Sequence, residues 1–369
     1  MAEPLKNVYS ESFLEGFTVI MQKIYPPFAS KAFLEQVLDD QWSKRELKER
    51  MRHIATCLRA FLPQDVATAF QLLRNLALAL RGDDEESMSF EYLFLPDFIE
   101  QYGLDNYELS LAAMEDITQF TSCEFAVRPF LVRYPEAMIE QMQAWAAHPH
   151  AMVRRLASEG SRPRLPWGLG VPHLKVDPSP TLPILESLRH DASETVRRSV
   201  ANHLNDISKD HPELVLDIVE RWQGATAATG RLIKHACRGL LKQSHPRALA
   251  LFGLGGAEAI VVEDFEILTP TVKSGEALAF QFAISHSLNK PLLIRLEYGL
   301  YFRKANGSLS KKVFKISEKE YGVGSTVIIE RKQSFRPITT RKYYPGLHQV
   351  SVIANGREFE RYDFNLQTA

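Results

Sequence analysis

The sequence predicts a mainly α-helical protein with a C-terminal β domain, organised as a solenoid of paired helices followed by a β-sandwich. In the middle third of the chain, a basic motif opens a helix every forty residues or so, which is the period of HEAT-like helical pairs. The motif occurs as Val153-Arg154-Arg155, Val196-Arg197-Arg198 and Ile233-Lys234-His235. Beyond residue 257, short runs of β-branched and aromatic residues alternate with turn motifs, as strands do.

The first part of the chain has the apolar periodicity of helices. From Leu47 to Leu62 the apolar residues follow the three- and four-residue spacing of one helical face, and Pro63 ends the helix. A second helix is predicted from Val66 to Arg81, where Gly82-Asp83-Asp84 breaks the pattern.

The middle part repeats a proline, an amphipathic helix and a tryptophan. Pro135 and Pro212 are each followed ten residues later by a tryptophan, Trp145 and Trp222, which we therefore assign to the core. Helical pairs of this kind stack and leave one continuous surface. A basic doublet is ordinarily a solvated helix face, but doublets that recur at the repeat period share one side of the array. That side is predicted to be rich in arginine.

The C-terminal part has the pattern of a compact β-sandwich of about 110 residues. Strands are predicted at 278–283, 292–296 and 350–353, with turns at Asn306-Gly307, 322–324 and Asn355-Gly356. Gly253-Leu254-Gly255-Gly256 separates the two patterns. We therefore predict a helical repeat domain over residues 1–252 and a β domain over residues 257–369.

The net charge of −1 conceals an uneven distribution. Acidic residues concentrate early, as in the run from Asp83 to Glu86, whereas Lys290 to Lys342 contains thirteen Lys and Arg residues against four carboxylates. An uneven field of this kind attracts a polyanion although the whole molecule is almost neutral. The charge pattern is therefore compatible with a nucleic-acid partner.

Composition excludes several other classes. The sequence has no apolar run long enough to span a membrane and no signal-peptide pattern at Met1, so we expect a cytoplasmic protein. Its three cysteines, Cys57, Cys123 and Cys237, lie far apart, which indicates core thiols rather than a disulfide framework or a zinc site.

Two segments combine acids, bases and aromatic rings, residues 121–130 and 154–167. Spacing alone favours helix-surface ion pairs within them, Glu124 with Arg128 and Arg155 with Glu159. Trp167 follows a proline outside the periodic pattern. Its ring is as well suited to stacking on a ligand as to packing within the protein.

A third segment carries His203, Asp206 and His211, which could suggest a metal. No second cluster of potential ligands supports one. Hydrogen bonds at helix ends are favoured instead, and we expect no metal.

Three segments taken together resemble the AlkC branch of the HEAT-like DNA alkylation repair glycosylases. They are residues 124–130, 154–167 and 196–206, and the ordered set is more specific than any one of them. The likeness extends over nearly the whole chain. It includes the C-terminal β domain, which resembles the immunoglobulin-like domain of that branch.

The resemblance implies removal of N3-methylated bases, such as 3-methyladenine and 3-methylcytosine, from duplex DNA. It also implies that no cofactor is needed and that the base is not flipped into a pocket; we expect a monomer. Because these lesions are cationic, the enzyme has only to stabilise a positively charged sugar and supply water, which a carboxylate can do. The residues that match are Glu124 and Glu159, with Asp206 as a third carboxylate.

The resemblance also implies how DNA would be held. Trp167 would offer its indole face to the sugar or the cationic lesion. Four arginines would contact phosphates beside the lesion without reading sequence: Arg155, Arg162, Arg164 and Arg198. The alternative is a HEAT-repeat scaffold without catalytic activity that binds nucleic acid or protein. Carboxylates within a basic surface distinguish the two, since a simple phosphate binder gains nothing from them.

Overall fold

The computed structural model describes residues 4–82, 86, 88–338 and 341–367. The chain divides into two compact units, Met1–Ala236 and Cys237–Ala369. Most of the acidic run from Asp83 to Glu86 lies outside the described residues. Among the helices of the described part, none has both the length and the apolar character needed to cross a bilayer.

The first unit is made of helices joined by short loops. Its helices are α1 (Glu11–Ile24), α2 (Ser30–Val37), α3 (Leu47–Phe61), α4 (Val66–Leu80), α5 (Phe94–Tyr102), α6 (Tyr107–Ile117), α7 (Val127–Arg133), α8 (Pro135–Ala146), α9 (Ala151–Gly160), α10 (Pro172–Val176), α11 (Leu182–Leu188), α12 (Glu194–Ile207), α13 (Pro212–Trp222) and α14 (Ala227–Ala236).

Local chemistry accounts for the bounds of α3 and α4. The side chain of Glu46 caps the first turn of α3, and the Glu49 side chain accepts a hydrogen bond from the Glu46 backbone in return. Asp65 caps α4 by accepting from the backbone N–H of Thr68 over 2.8 Å. The two helices predicted for this region are confirmed to within one residue at each end.

The repeated prolines and tryptophans mark equivalent helices. Pro135 and Pro212 occupy the first turns of α8 and α13, where the missing N–H of proline costs nothing. Trp145 and Trp222 are 1% and 3% exposed, and the indole of each donates to a glutamate carboxylate over 2.7 and 2.8 Å. Their assignment to the core is confirmed.

The arginine doublets lie on α9 and α12, and α12 packs against both α9 and α14. Arg154 and Arg197 each donate to two backbone carbonyls of the loop that precedes their own helix. The first arginine of each doublet therefore braces a loop. Arg155 and Arg198, one position further on, bind the carboxylates of Glu124 and Glu194.

The second unit contains two short helices and two sheets. The elements are α15 (Arg238–Lys242), α16 (Pro246–Leu251), β1 (Ile260–Ile267), β2 (Thr271–Lys273), β3 (Ala277–His286), β4 (Leu292–Arg303), β5 (Leu309–Tyr321), β6 (Val327–Ser334), β7 (Gly346–Ala354) and β8 (Arg357–Gln367). One sheet has the order β1-β3-β6 and the other β2-β8-β7-β4-β5. Every strand pair is antiparallel except β2 with β8.

The two sheets enclose one apolar core, to which β3, β4, β7 and β8 all contribute. The predicted runs fall within β3, β4 and β7, and the three predicted turns join consecutive strands. Asn355 and Gly356 have φ values of 45° and 83°, the left-handed conformation that a two-residue hairpin turn requires. The sandwich predicted from these signals is confirmed.

The structure divides the chain before the boundary that the sequence predicts between the helical domain and the β domain. The last helix ends at Leu251 and the first strand begins at Ile260, but α15 and α16 cluster with the strands. The Asn355 side chain, for instance, donates to the carbonyl of Gly255 over 2.9 Å. The domain boundary between residues 252 and 257 stays a prediction.

Candidate active site

A cavity of about 530 Å³ in the first unit gathers five of the predicted site residues. Glu124, Arg155, Glu159, Arg162 and Trp167 all line it. Much of the remaining lining is apolar and includes Leu47, Met51, Met88, Phe90 and Leu93. The cavity therefore combines carboxylates, guanidinium groups and an indole with an apolar wall, as ligand sites commonly do.

Glu124 lies in the turn before α7, not on a helix. Its Oε2 atom accepts from Arg155 Nη2 over 2.7 Å and from Ser122 Oγ over 2.8 Å. No hydrogen bond to Oε1 is found within the described residues, and the side chain is 17% exposed. One oxygen is thus fixed while the other is available.

The ion pairs suggested by spacing within each segment do not form. Glu124 is bound by Arg155 rather than by Arg128, and Glu159 is bound by Arg162 rather than by Arg155. Both predictions were wrong. Glu124 lies in a turn, where the four-residue rule for helices does not apply. Arg155 and Glu159 do share α9, but their side chains bind Glu124 and Arg162, which lie outside that helix.

Glu159 lies in the last turn of α9 with its side chain 8% exposed. Its Oε1 atom accepts from Arg162 Nη1 over 2.5 Å, and its Oε2 atom accepts from Ser199 Oγ over 2.6 Å. Both oxygens of this carboxylate therefore have fixed donors. Ser199 was not singled out in the sequence, although it directly follows the Val196-Arg197-Arg198 motif.

Arg162 joins Glu159 to Asp206. Its Nε atom donates to Asp206 Oδ2 over 2.7 Å, and Lys209 Nζ lies 2.8 Å from Oδ1 of the same carboxylate. Burial lowers the pKa of Arg162, but the two carboxylates outweigh burial and raise it. Asp206 itself is 2% exposed and lies behind Arg162, outside the cavity lining.

Arg128 is fully buried and organises the loop that follows α9. It donates over 2.8 Å to the carbonyls of both Gly160 and Arg162, and also to the carbonyl of Leu169. Burial, with help from Arg162, lowers its pKa to about 10, which leaves it protonated near neutral pH. These partners lie 32 to 41 residues away, so no local spacing could have revealed this function.

Trp167 is 62% exposed and has a φ of 63°. This exposure disfavours the packing alternative for the indole. The carbonyl of Trp167 accepts a hydrogen bond from Lys48 Nζ over 2.7 Å. Lys48, another residue that the sequence did not single out, lies in the first turn of α3.

The other two arginines lie outside the cavity. Arg164 makes a bidentate pair with Asp210, at 3.0 and 2.7 Å. Arg198 lies 3.1 Å from Glu194 with its side chain 67% exposed. Arg198 lines a separate groove of about 340 Å³ with Arg197, Arg231 and His235.

The histidines near Asp206 bind backbone carbonyls. His203 Nδ1 lies 2.9 Å from the carbonyl of Ser158, and burial lowers the pKa of His203 to about 3. His211 Nε2 lies 2.8 Å from the carbonyl of Lys175. Across the described ranges, no three His, Cys, Asp or Glu side chains are grouped as metal ligands would be.

Comparisons with known proteins agree with this architecture. Residues 97–240 match the family model of DNA alkylation repair enzymes. Residues 261–368 match the C-terminal Ig-like domain of the uncharacterised protein YhaZ. The helical unit with an immunoglobulin-like β domain predicted from the sequence is confirmed.

Two further comparisons cover nearly the whole chain. The chain is 44% identical over 362 residues to the uncharacterized protein YhaZ of Bacillus subtilis (strain 168), covering 98% of this chain and 99% of that one. It is also similar to the solved structure of Pseudomonas fluorescens alkylpurine DNA glycosylase AlkC bound to DNA containing an abasic site analog. That likeness has a TM-score of 0.92 and 36% identity, and covers 99% of this chain and 100% of the other. The chain therefore belongs to the AlkC family of DNA alkylation repair enzymes.

Proposed function

We propose that this protein is a DNA glycosylase that excises cationic N3-alkylated bases, such as 3-methyladenine and 3-methylcytosine, from duplex DNA. The observation that carries the proposal is one cavity containing two carboxylates, Glu124 and Glu159, each held by its own arginine. Family membership supports the general activity.

The chemistry needs little beyond electrostatics and a water molecule. An N3-alkylated base is cationic and leaves with the electron pair of the glycosidic bond, so it departs neutral and needs no proton. Positive charge then develops on the sugar, and water adds to C1′ and loses a proton. Carboxylates fixed before the reaction stabilise that charge without reorganising.

The two carboxylates suit different tasks. Glu124 has one oxygen held by Arg155 and Ser122 and the other available, which suits it to orient the attacking water and accept its proton. Glu159 is more deeply buried with both oxygens bonded, which suits it to remain an anion facing the developing cation.

Asp206 and Arg162 are proposed to act behind this pair. Asp206 fixes Arg162, and Arg162 in turn fixes Glu159, so the catalytic contribution predicted for Asp206 would pass through the arginine. Arg162 is 5% exposed, which disfavours the phosphate contact predicted for it.

DNA is proposed to lie across the more exposed cations. Arg198 and Arg164 are the better candidates for phosphate contacts, because they lie nearer to solvent than Arg162. Arg155 already donates to Glu124 and Ser122, so a phosphate would have to share its guanidinium group with them or displace them. Contacts of this type fix the register of the duplex and give affinity that depends strongly on salt.

Trp167 is proposed to place its indole against the lesion or its sugar, where a cation is attracted to the ring face. Its exposure supports excision without full extrusion of the base, since an enclosing pocket would bury the ring. A monomer is proposed.

Release of free base is the test. Purified protein is incubated with methylated duplex DNA in buffer with and without EDTA. The released 3-methyladenine and 3-methylcytosine are then separated and quantified. If the protein is a glycosylase, EDTA should not reduce the release of free base, and the double variant Glu124→Gln, Glu159→Gln should abolish it. A scaffold would bind the same duplex and release nothing, and that outcome would overturn the proposal.

A further inference from the structure

Trp167 has a backbone conformation that bulky residues rarely take. Its φ of 63° lies in the left-handed region, where a non-glycine residue persists only if its surroundings hold it there. Pro166 precedes it and Gly168 follows it, and the Gly168 N–H donates to the Leu165 carbonyl over 3.1 Å. The loop therefore presents its one large ring from a strained position.

Arg128 fixes both flanks of this loop. It binds the carbonyls of Arg162 and Leu169, and a Cβ atom on Gly168 would lie 3.0 Å from its Cδ atom. These contacts anchor the residues on either side of Trp167. The hydrogen bonds of Arg128 end on the carbonyls of Gly160, Arg162 and Leu169, and not on the carbonyl of Trp167.

Lys48 holds the peptide that joins Trp167 to Gly168. Its Nζ atom donates to the Trp167 carbonyl over 2.7 Å, and the same atom lies 4.8 Å from the centroid of the Phe125 ring. Phe125 is the neighbour of Glu124, and Lys48, Phe125 and Trp167 all line the cavity. A single ammonium group thus links α3, the Glu124 turn and the Trp167 loop, across 119 residues of sequence.

We propose that Lys48 is a positioning residue, which locks the Trp167 peptide in its left-handed conformation and so holds the indole where the lesion binds. The inference rests on the glycosylase function proposed above. A charge-assisted hydrogen bond is stronger than a neutral one, and the Phe125 ring gives the ammonium a second fixed partner. Without Lys48, the loop would keep its Arg128 anchors and the bond from the Gly168 N–H to Leu165, but the Trp167 carbonyl would lose its charged donor and Trp167 could relax.

The kinetic test uses three variants of the full chain. Lys48→Met keeps the aliphatic stem and removes the donor, Lys48→Arg keeps a donor, and Lys31→Met is a matched charge loss at a side chain 90% exposed. Lys48→Met is expected to lower the single-turnover rate of 3-methyladenine release about tenfold, the usual order for one charged hydrogen bond. Lys48→Arg should recover most of that rate, and Lys31→Met should match the wild type.

Affinity separates positioning from DNA contact. If Lys48 positions Trp167, the dissociation constant for an undamaged duplex and its salt dependence should be the same in Lys48→Met as in Lys31→Met. A salt slope reduced by about one, with an unchanged rate at saturating DNA, would show a phosphate contact instead and would overturn the proposal.

A spectroscopic arm does not depend on activity. The protein is labelled with 5-fluorotryptophan, and its ¹⁹F resonance for Trp167 is assigned with Trp167→Phe. In DNA-free Lys48→Met this resonance should move or broaden, whereas those of the buried Trp145 and Trp222 should stay. An unchanged Trp167 resonance would overturn the proposal. If no variant releases base, the glycosylase proposal fails, and the fluorine spectrum still decides the function of Lys48.

Discussion

Arg155 binds Glu124 within a closed triangle of side chains. Its Nη2 atom donates to Glu124 Oε2 over 2.7 Å, and its Nη1 atom donates to Ser122 Oγ over 3.1 Å. Ser122 donates to the same carboxylate oxygen over 2.8 Å. With Arg155 and Glu124 only 20% and 17% exposed, water competes weakly for these bonds.

The triangle predicts that Arg155 acts through Glu124. Arg155→Ala should lower the single-turnover rate of base release, because the carboxylate loses the donor that orients it. In a double-mutant cycle, adding Arg155→Ala to Glu124→Gln should cost clearly less than it does in the wild type. Equal costs in both backgrounds would mean that the two residues act separately.

Arg198 is predicted to hold a phosphate. Arg198→Ala should weaken binding to all duplex sequences alike and reduce the slope of affinity against salt by about one. Titrations at several salt concentrations measure the slope, with Lys23→Ala on α1 as a control for charge alone. An unchanged slope in Arg198→Ala would place this arginine away from the DNA backbone.

We expect Asp97, on α5, to make the stability of the folded protein depend on pH. Its side chain is 1% exposed, and burial raises its pKa from 3.8 to about 6 although Arg52 lies 3.0 Å away. A carboxyl with a raised pKa holds its proton more tightly in the folded state. The folded state is therefore more stable at low pH, and its free energy of unfolding falls as pH rises from about 4 to about 6.

The variant Asp97→Asn isolates this effect. Between about pH 4 and pH 7, the free energy of unfolding of the wild type should fall relative to that of the variant, by about 2 to 3 kcal/mol for a shift of this size. Urea denaturation at each pH gives both values. A difference that stays constant with pH would contradict the raised pKa.

The β domain is predicted to contribute to DNA binding. Lys290 to Lys342 is strongly basic, and a tethered second surface adds affinity through its high effective concentration. A chain shortened to end at Gly255 should stay folded, because the first unit has its own core, yet lose much of its binding and base release.

A chain that ends at Ala236 is the matched comparison, since it also removes the two helices that cluster with the strands. Circular dichroism checks the fold of both shortened chains. Full activity in either folded chain would rule out this contribution of the β domain.

Features that depend on near neighbours were readable in the sequence. The start of α3 is set by Glu46 and Glu49, and the hairpin at Asn355 needs two adjacent residues that tolerate positive φ. The repeats were readable because equivalent residues, such as Trp145 and Trp222, recur in equivalent helices.

Features that depend on distant partners were not readable. Glu124 meets Arg155 from 31 residues away, and Lys48 meets Trp167 from 119 residues away. Such pairs arise only when helices stack, and no local period encodes them. The five predicted residues that line the cavity were named from the family resemblance, whereas the pairing of Glu124 with Arg155 and of Glu159 with Arg162 became evident only from the packing.

The single-turnover rate of Glu159→Gln on a duplex with one 3-methyladenine tests the central claim most directly. Glutamine keeps the size and removes the charge that faces the developing cation, which should cost on the order of 2 to 4 kcal/mol, a rate loss of about thirtyfold to a thousandfold. The dissociation constant for the same duplex should stay within about twofold of the wild type. A wild-type rate in Glu159→Gln would contradict the account.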